Sequence, residues 1–365
     1  MKKSGLFKTV LILAMTGLLA FVLTSCVSDA SPEAVQPEEQ IDYEVALITD
    51  DSLIMDGGHS EMEWTAISVY CAENGLSHKY YKATDNTKRA YDKAMDMAVQ
   101  KGAKIVIADN DKVSDAVYDA EEKYKDIKFI ILNSSPVDEE NGDIRISSNT
   151  VAVVFASEEA GYLAGYAAVK DGYENLGFIG QTPDKEYKSY GYGFVMGADK
   201  AAVEMDADVT VKFYSVKPED KKSIAYEKAS EWFADGTQVI MASGNNIDTD
   251  VIRAAEAEGG KVICCQADKS MLSDTILTTA EVKVDKALND LLGLYSKDKF
   301  PCGEIVSYDA ANDGVGLALK VNGFKNLTQK DYKDIYQKLA SGKIKVDIEE
   351  LEKAHDIKLK RAQLD

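Results

Sequence analysis

The chain reads KRAYDKAMDMAVQK at residues 88–101, KIVIA at 104–108, VSDAVYDAEEKY at 113–124 and KFIIL at 128–132. The two longer segments carry apolar residues at helical spacing, and the two shorter ones are nearly continuous apolar runs. Strands buried on both faces have this continuous pattern, which is typical of a parallel sheet covered by helices on both sides. The stretch therefore predicts alternating helices and parallel strands.

The same alternation continues outward in both directions. It runs once from residue 43 to about 150 and begins again at residue 176. We therefore predict an α/β protein with two doubly wound parallel-sheet lobes joined by a hinge, and a ligand site beyond the carboxyl ends of the strands. The further strand-like runs lie at residues 44–48, 78–82, 176–179, 210–214, 238–241 and 261–265.

A helix is predicted between the two series, beginning with SEEAGYLAGY at residues 157–166. Ser157 has the side chain of a helix N-cap, and two glutamates follow it in the first turn. Gly161 and Gly165 lie four residues apart and so share one helix face. We expect these two glycines to allow close packing against a sheet.

The balance of charge excludes one class of partner. The 365 residues include 62 Asp and Glu against 42 Lys and Arg, which gives a formal net charge of -20. Such a field repels phosphate backbones, so we expect no nucleic-acid partner. Hydrophobic residues make up 45% of the chain, which is typical of a globular protein.

The amino terminus has the layout of a secretory signal, with early lysines before an apolar stretch at residues 10–23. The next segment, LTSC at residues 23–26, resembles the bacterial lipobox. That resemblance implies a signal peptide over residues 1–25 and a lipid, including palmitate, on Cys26; an uncleaved signal anchor is the alternative. Residues 26–42 are acidic and predict a linker that tethers the protein to the outer face of the cell membrane.

The remaining cysteines are Cys71, Cys264, Cys265 and Cys302. Four thiols spread over this length do not form a disulfide framework, and an adjacent pair would be strained. We interpret them as small hydrophobic residues buried in strands. Because no Cys-x-x-Cys occurs and the three histidines are far apart, we expect no metal site and no cofactor.

Several segments together carry a resemblance to one family. EEAGYLAGY at residues 158–166, LGFIG at 176–180 and YGFVMGA at 192–198 are similar to that family's central block, and SGKIKV at 341–346 is similar to its carboxyl-terminal segment. The family is that of the basic membrane proteins, whose best-understood members are purine-nucleoside receptor lipoproteins. The resemblance implies a type I periplasmic-binding-protein fold and the role of substrate-binding component of an ABC transporter.

We place the lobe boundaries on this basis. The N-terminal lobe takes residues 43–152 plus about 280–306, and the C-terminal lobe takes residues 153–279 plus about 307–346. Residues 347–365 are expected to be a C-terminal tail.

The loop DGGHSEMEW at residues 56–64 matches the family only partly. It keeps Asp56 and Trp64, but His59 and Ser60 stand where Phe and Asn are common. Asp56 is either a hydrogen-bond acceptor in the cleft or an ordinary turn residue beside two glycines. Trp64 either lines the cleft or packs the first helix on its sheet, and His59 either donates to the ligand or is exposed.

Two further departures concern acidic positions. Asn133 and Gln266 stand where the family has aspartates, whereas Asp268 and Lys283 match it, the latter after LTT at residues 277–279. In the nucleoside receptors, carboxylates and a lysine hold the ribose hydroxyls. With two acids replaced by amides, we expect weaker discrimination between ribonucleosides and 2′-deoxynucleosides, and we expect Gln266→Glu to sharpen it. Lys283 is either a cleft charge or one more surface lysine.

Aromatic and amide residues near other strand ends complete the candidates. Phe213 and Tyr214 either stack on a planar base, as the resemblance implies, or belong to the core. Asn245, followed by Asn246 and Asp248, either contacts the ligand or forms a generic turn.

Signatures of catalysis are missing from the sequence. No phosphate-binding glycine loop follows a strand, and no Gly-x-Ser-x-Gly elbow or Cys/His arrangement supplies a nucleophile with its base. We therefore predict a monomeric, non-enzymatic lipoprotein that captures a small polar ligand, by resemblance a purine nucleoside, and delivers it to an ABC permease. The alternatives are a nucleoside-processing enzyme built on Asp50, Asp51 and Asp56, and a surface sensor or adhesin without a permease.

Overall fold

The computed structural model describes residues 42–50, 54, 59–182, 185–244, 246–319 and 323–365. These residues belong to one compact unit. The predicted signal peptide, the lipidation site Cys26 and the linker up to residue 41 lie outside the described residues, as do Asp56, Asn245 and the side chain of His59.

Strands and helices alternate along the described chain. The strands are β1 Val45–Thr49, β2 His78–Lys82, β3 Ile105–Asp109, β4 Lys128–Leu132, β5 Thr150–Phe155, β6 Asn175–Gln181, β7 Val209–Val216, β8 Val239–Ser243, β9 Lys261–Gln266, β10 Ile276–Val282, β11 Glu304–Tyr308, β12 Val315–Leu317 and β13 Ala362–Leu364. The helices are α1 His59–Asn74, α2 Lys88–Gln100, α3 Ser114–Lys123, α4 Ser157–Lys170, α5 Lys185–Met205, α6 Ile224–Ala234, α7 Ile247–Glu258, α8 Val284–Tyr295 and α9 Gln329–Ala340.

The N-terminal lobe is built on a parallel sheet. Its six described strands lie in the order β11-β5-β4-β3-β1-β2. In β1, Val45 and Leu47 belong to the apolar cluster that holds residues of α1 and α8, whereas Ala46 and Ile48 belong to the cluster that holds residues of α2 and α3. Helices therefore cover both faces, because successive side chains of a strand point to opposite sides.

The C-terminal lobe repeats this design. Its seven described strands lie in the order β12-β10-β9-β8-β6-β7-β13, and the short β12 is antiparallel to its neighbour β10. In β6, Phe178 packs in the cluster with α4 and α5, and Ile179 packs in the cluster with α6 and α7. Two doubly wound α/β lobes are thus confirmed.

Between the lobes, the described chain crosses three times: from β5 into α4, from β10 into α8, and from β11 into β12. The first two crossings are single residues, Ala156 and Lys283, and the third is residues 309–314. Backbone hydrogen bonds of 2.9 Å tie them together, from the Ala156 N–H to the Tyr308 carbonyl and from the Lys283 N–H to the Gly314 carbonyl. These crossings form the predicted hinge.

Helices α4 and α5 meet along their backbones. A Cβ atom built on Gly165 would lie 2.0 Å from the carbonyl oxygen of Phe194, and one built on Gly197 would lie 1.9 Å from that of Tyr162. No side chain fits at such distances. Close packing at the α4 glycines was predicted correctly, but the predicted partner, a sheet, was wrong: Gly161 and Gly165 contact helix α5. Nor is Ser157 the N-cap: Ala156 takes that position, and no side chain caps it.

Residues 347–365, set apart as a tail by the sequence, run along the C-terminal lobe and end in β13. This strand pairs in parallel with β7. The buried Asp199 carboxylate accepts hydrogen bonds from the N–H groups of Lys360, Arg361 and Ala362 at 2.7–2.9 Å. Burying the Asp199 carboxylate without hydrogen-bond partners would be costly, so these three bonds hold residues 360–362 against the lobe.

The four described cysteines are free thiols, and the prediction that all of them are buried in strands was wrong for two. Cys264 and Cys265 are buried in β9, but Cys71 is buried in helix α1, and Cys302 is half-buried in the turn before β11, where Lys128 Nζ lies 3.3 Å from its sulfur. Among the described helices, none has the length and apolar character needed to cross a membrane.

Candidate ligand-binding cleft

Strained backbone marks the carboxyl ends of the central strands in both lobes. Four non-glycine residues there have positive φ angles: Asn110 at 70° and Asn133 at 58° after β3 and β4, Asn246 at 61° after β8, and Gln266 at 76° at the end of β9. The left-handed region costs a non-glycine residue roughly 1–3 kcal/mol, and such residues cluster at functional sites. The conformations therefore point to the edge where open α/β sheets bind ligands.

On the N-terminal lobe this edge carries an amide paired with a carboxylate. The Asn133 amide donates a hydrogen bond from Nδ2 to Asp109 Oδ1 at 2.9 Å. The two residues lie at the ends of neighbouring parallel strands, β4 and β3. Nearby, Lys112 Nζ lies 3.9 Å from Asp50 Oδ2. The edge thus combines carboxylates, an amide and a cation.

On the C-terminal lobe a second amide is paired with a second carboxylate. Gln266 Nε2 donates to Glu186 Oε2. Glu186 lies in the first turn of α5, where the helix dipole favours a negative charge. Both residues are half-buried. The two lobes therefore present the same kind of pair at corresponding edges.

A buried ion pair supports the loops after β8 and β9. The Lys269 ammonium contacts the Asp248 carboxylate, and their side chains are only 17% and 11% exposed. Burial alone would lower the pKa of Lys269, but the adjacent Asp248 charge outweighs it and raises that pKa. Lys269 is therefore held charged at this edge.

A cavity of about 750 Å³ opens between the two lobes. Its walls come from α1, from the loop after β9, and from the β10 crossing into α8. This volume is within the usual range for small-molecule sites. The lining residues include Met62, Val69, Gln266, Asp268, Met271, Leu272, Glu281 and Lys283.

Three predicted site residues, Gln266, Asp268 and Lys283, line this one cavity. Asp268 Oδ1 accepts a hydrogen bond from the Ser270 N–H at 2.8 Å, which orders the loop. Lys283 lies at the hinge, with Nζ 2.6 Å from Asp313 Oδ1. The lysine is therefore engaged across the hinge in this conformation.

Glu281 also lines the cavity, at the end of β10. Burial raises its pKa, to about 7, and the nearby Asp268 charge adds to the rise, whereas Lys283 opposes it. The carboxyl group accordingly titrates near neutral pH. A perturbed carboxyl in a cleft is a frequent property of functional sites.

The predicted aromatic residues take part in packing. The Phe213 ring stacks on the Phe178 ring, with centroids 4.8 Å apart. The Tyr187 ring packs edge-on against Phe213, with centroids 5.6 Å apart. Tyr214 lies on the other face of β7, where Lys228 Nζ is 5.5 Å from its ring centroid. These contacts agree with the core alternative for both residues.

On α1, the Trp64 ring contacts the rings of His78 and Tyr80 on the edge strand β2, at centroid distances of 5.1 and 5.2 Å. This contact packs the helix on its sheet. Ser60 is half-buried in the first turn of the same helix, which begins at His59. The part of these residues in ligand binding stays a prediction.

Sequence reasoning did not select Asp109, Glu186, Lys269 or Glu281. Asp109 and Glu281 are the last or next-to-last residues of strands, so an acid at a strand's carboxyl end was an available signal. Glu186 and Lys269 do not lie in strands, so this signal does not mark them. Their partners, Gln266 and Asp248, are distant in sequence, so no local pattern pairs them.

Comparisons with known proteins agree with this architecture. The family described as "ABC transporter substrate-binding protein PnrA-like" matches residues 43–350. The ABC transporter nucleoside-binding protein BmpA of Lactococcus lactis is 26% identical over 322 residues, covering 82% of this chain and 87% of the relative. Basic membrane protein B of Borreliella burgdorferi is 25% identical over 316 residues, covering 82% and 86%.

Solved structures support the fold alone. A solute-binding protein of an ABC transporter system from Aeropyrum pernix has a TM-score of 0.67 at 15% identity, covering 83% of this chain and 92% of its own. One from Conexibacter woesei has a TM-score of 0.67 at 16% identity, covering 84% and 99%. The predicted periplasmic-binding-protein fold is confirmed. Because the family match spans most of the chain, the protein belongs to the PnrA-like family of ABC transporter substrate-binding proteins.

Proposed function

We propose that the protein captures a purine nucleoside between its two lobes and delivers it unchanged to an ABC permease. The observation that carries this proposal is the mixed character of the interlobe cavity. Gln266, Asp268 and Lys283 give it hydrogen-bonding groups, while Met62 and Val69 of α1 give it an apolar wall. A nucleoside combines a planar, weakly polar base with a hydroxyl-rich sugar, so it matches both.

The apolar part of the cavity is unusually open. Met271 is 91% exposed, Leu272 is 68% exposed and Val69 is 52% exposed. The first two belong to the C-terminal lobe and the third to the N-terminal lobe. Clustered exposed apolar side chains commonly mark a surface that is covered on binding. Closure around a ligand gives these side chains a partner.

The polar part supplies specificity. Buried carboxylates and amides that hydrogen-bond a ligand hydroxyl are left unpaired by a ligand that lacks it, which costs ~1–3 kcal/mol for each unpaired group. The name of the Lactococcus lactis relative states nucleoside binding, which supports the same ligand class.

The cellular setting is part of the proposal. The basic and apolar leader with LTSC at residues 23–26 supports a lipoprotein anchored by Cys26 at the outer face of the cell membrane. A tethered monomer at that face suits delivery to a permease. Cys26→Ala should release the protein from the membrane fraction and abolish the lipid-dependent mass increase.

A thermal-shift panel of nucleosides, nucleobases, sugars and amino acids tests the ligand class. A ligand that binds only the folded protein at 100 times its dissociation constant should add ~2.7 kcal/mol to the free energy of unfolding. We expect purine nucleosides to raise the melting temperature most. A panel in which only sugars or amino acids do so contradicts the proposal.

Mass spectrometry of small molecules that co-purify with the protein separates binding from catalysis. We expect an intact nucleoside. Recovery of a free base and ribose from added nucleoside would instead support a nucleoside-processing enzyme.

A further inference from the structure

We propose that strand β13 is a cap that keeps the edge of β7 from pairing with the same edge of a second copy of the chain. The surface concerned is the outer edge of β7, Val209–Val216, in the C-terminal lobe. Its partner is another β7, because a two-fold axis brings the same strand of each copy together. The inference stands apart from the proposed function, since it involves no ligand.

The first observation is the character of β7 itself. With eight residues it is the longest strand of the described chain, and its sequence is VTVKFYSV. Such a sequence favours strands, because most of its side chains are β-branched or aromatic. A long edge strand of this kind is a template for pairing with another chain. Without a cover, β7 would be such an edge. The β-branched and aromatic residues are Val209, Thr210, Val211, Phe213, Tyr214 and Val216.

The other edge strands of the two described sheets are less open to pairing. β2 and β11 have five residues each, and β12 has three. Exposed charges lie on two of them, Lys79 and Lys82 on β2 and Glu304 on β11. Short edge strands and edge charges are common protection against edge-to-edge association. β7 is longer and depends on a covering strand instead.

β13 covers the first half of the β7 edge. Ala362–Leu364 pairs in parallel with Val209–Val211. Just after β13, the Asp365 N–H donates to the Val211 carbonyl, and the Phe213 N–H donates to the Asp365 carbonyl, both at 2.9 Å. The backbone groups of β7 that point outward are therefore engaged from residue 209 to residue 213.

The new edge has the protection that β7 lacks. β13 has only three residues, and three of the four residues before it are basic: Lys358, Lys360 and Arg361. A long, largely uncharged edge is thus replaced by a short one flanked by charges, which discourages further pairing. The family match ends at residue 350, so β13 lies outside the segment that this comparison covers.

A buried carboxylate helps to hold the cap. Asp199 of α5 accepts hydrogen bonds from the three successive N–H groups that lead into β13. Asp171, also buried in this lobe, accepts in the same way from the N–H groups of residues 325, 326 and 327, at 2.5–3.0 Å. Those three residues form a loop and pair with no strand. Asp171 is therefore a matched control, because its loss uncovers no sheet edge.

Gln363→Pro in the full chain tests the cap with little disturbance of the core. The Asp365 N–H faces β7, and so does the Gln363 N–H two residues earlier, because backbone directions alternate along a strand. Proline lacks this N–H, whereas Gln363→Ala keeps it and changes only an exposed side chain.

Light scattering measures the molar mass of each variant from micromolar to millimolar concentration. We expect the mass of Gln363→Pro and of Asp199→Ala to rise with concentration to twice that of one chain. The unmutated protein, Gln363→Ala and Asp171→Ala should stay at the mass of one chain. Thermal unfolding shows that each variant is folded.

Hydrogen–deuterium exchange identifies the surface that associates. In dilute Gln363→Pro, the amides of residues 209–216 should exchange faster than in the unmutated protein, since their cover is lost. They should become protected again when the variant is concentrated.

The inference is overturned if Gln363→Pro keeps the mass of one chain at every concentration, whatever its exchange pattern. A dimer whose β7 amides stay unprotected, or equal association of Asp171→Ala and Asp199→Ala, also overturns it. None of these readouts requires a nucleoside to bind, so failure of this inference is distinguishable from failure of the proposed function.

Discussion

Helix α5 takes part in two regions of the C-terminal lobe that are built in opposite ways. Along its length it packs on α4 through Gly161, Gly165, Gly193 and Gly197, where a Cβ atom would lie only 1.9–2.3 Å from a carbonyl oxygen of the other helix. In its first turn it places Glu186 against Gln266 at the cleft. One region excludes side chains, and the other depends on them.

This contrast suggests that the α4–α5 interface serves stability and that the cleft edge serves ligand binding. The α4–α5 interface is fixed mainly by the close approach of the two backbones at the glycines, and the Tyr166 hydroxyl donates a hydrogen bond to the Glu204 carboxylate at 2.7 Å. The cleft edge is fixed by charge pairs and strained backbone. We therefore expect substitutions in the interface to lower the free energy of unfolding without changing the ligand specificity of the molecules that fold, whereas substitutions of the polar cleft residues should also change ligand binding.

The largest effect should come from Gly165→Ala or Gly197→Ala. The added methyl group meets backbone atoms that cannot move independently, so the helices must separate, and we expect a loss of roughly 2–4 kcal/mol in the free energy of unfolding. Urea denaturation measures it. Gly293→Ala is the matched control, because this α8 glycine would place its Cβ 3.8 Å from Tyr70 Oη, an ordinary contact. There we expect a gain of about 0.5–1 kcal/mol from helix propensity, and equal effects at both sites would contradict the distinction.

The sequence predicted different parts of the α4–α5 interface and of the cleft. The glycines of α4 were recognised from their spacing of four. Their partner was not, because close packing against a helix and close packing against a sheet both require small residues on one helix face. Asn133 and Gln266 were selected from the family pattern. Their carboxylate partners were not, since they lie 24 and 80 residues away in the chain.

Strand prediction shows the same limit. β2 and β4 were predicted at their observed bounds, because continuous or alternating patterns of five residues are readable locally. β12 and β13 have three residues each, too few for a readable apolar pattern, and β11 is an edge strand with mostly exposed positions. Pairing with a distant strand, rather than local preference, makes them strands.

A loss of stability of similar size is expected at the cleft from Lys269→Met. The substitution leaves the Asp248 carboxylate buried without its cation, which should cost about 2–4 kcal/mol in the free energy of unfolding at pH 7. Lys330→Met is the control, since the Lys330 and Asp334 side chains are 84% and 49% exposed and their pair should contribute nothing measurable. Matching denaturation midpoints for the two variants would show that the Lys269 pair does not order the cleft.

A smaller effect concerns Glu281. Burial and Asp268 raise the pKa of this carboxyl from its usual value of 4.5 to about 7, so ionising it opposes folding as the pH rises through this interval. Glu281→Gln removes that opposition. Relative to the unmutated protein, the variant should gain stability between about pH 4.5 and pH 7, reaching about 1–2 kcal/mol at pH 8 after allowance for solvent screening.

Thermal unfolding at pH 4 and pH 8 measures this difference. Glu304→Gln, an exposed position on β11, provides the control for loss of one negative charge. A stability difference between Glu281→Gln and the unmutated protein that is the same at both pH values would contradict the raised pKa.

The most direct test of the account is calorimetric titration of the unmutated protein with a purine ribonucleoside, its free base and ribose. Because the cleft offers an apolar wall and hydroxyl acceptors together, the ribonucleoside should bind saturably at one site per chain, at least about tenfold more tightly than either part. Absence of heat with every purine nucleoside, or equal affinity for ribose alone, would contradict the claim that this cleft captures nucleosides.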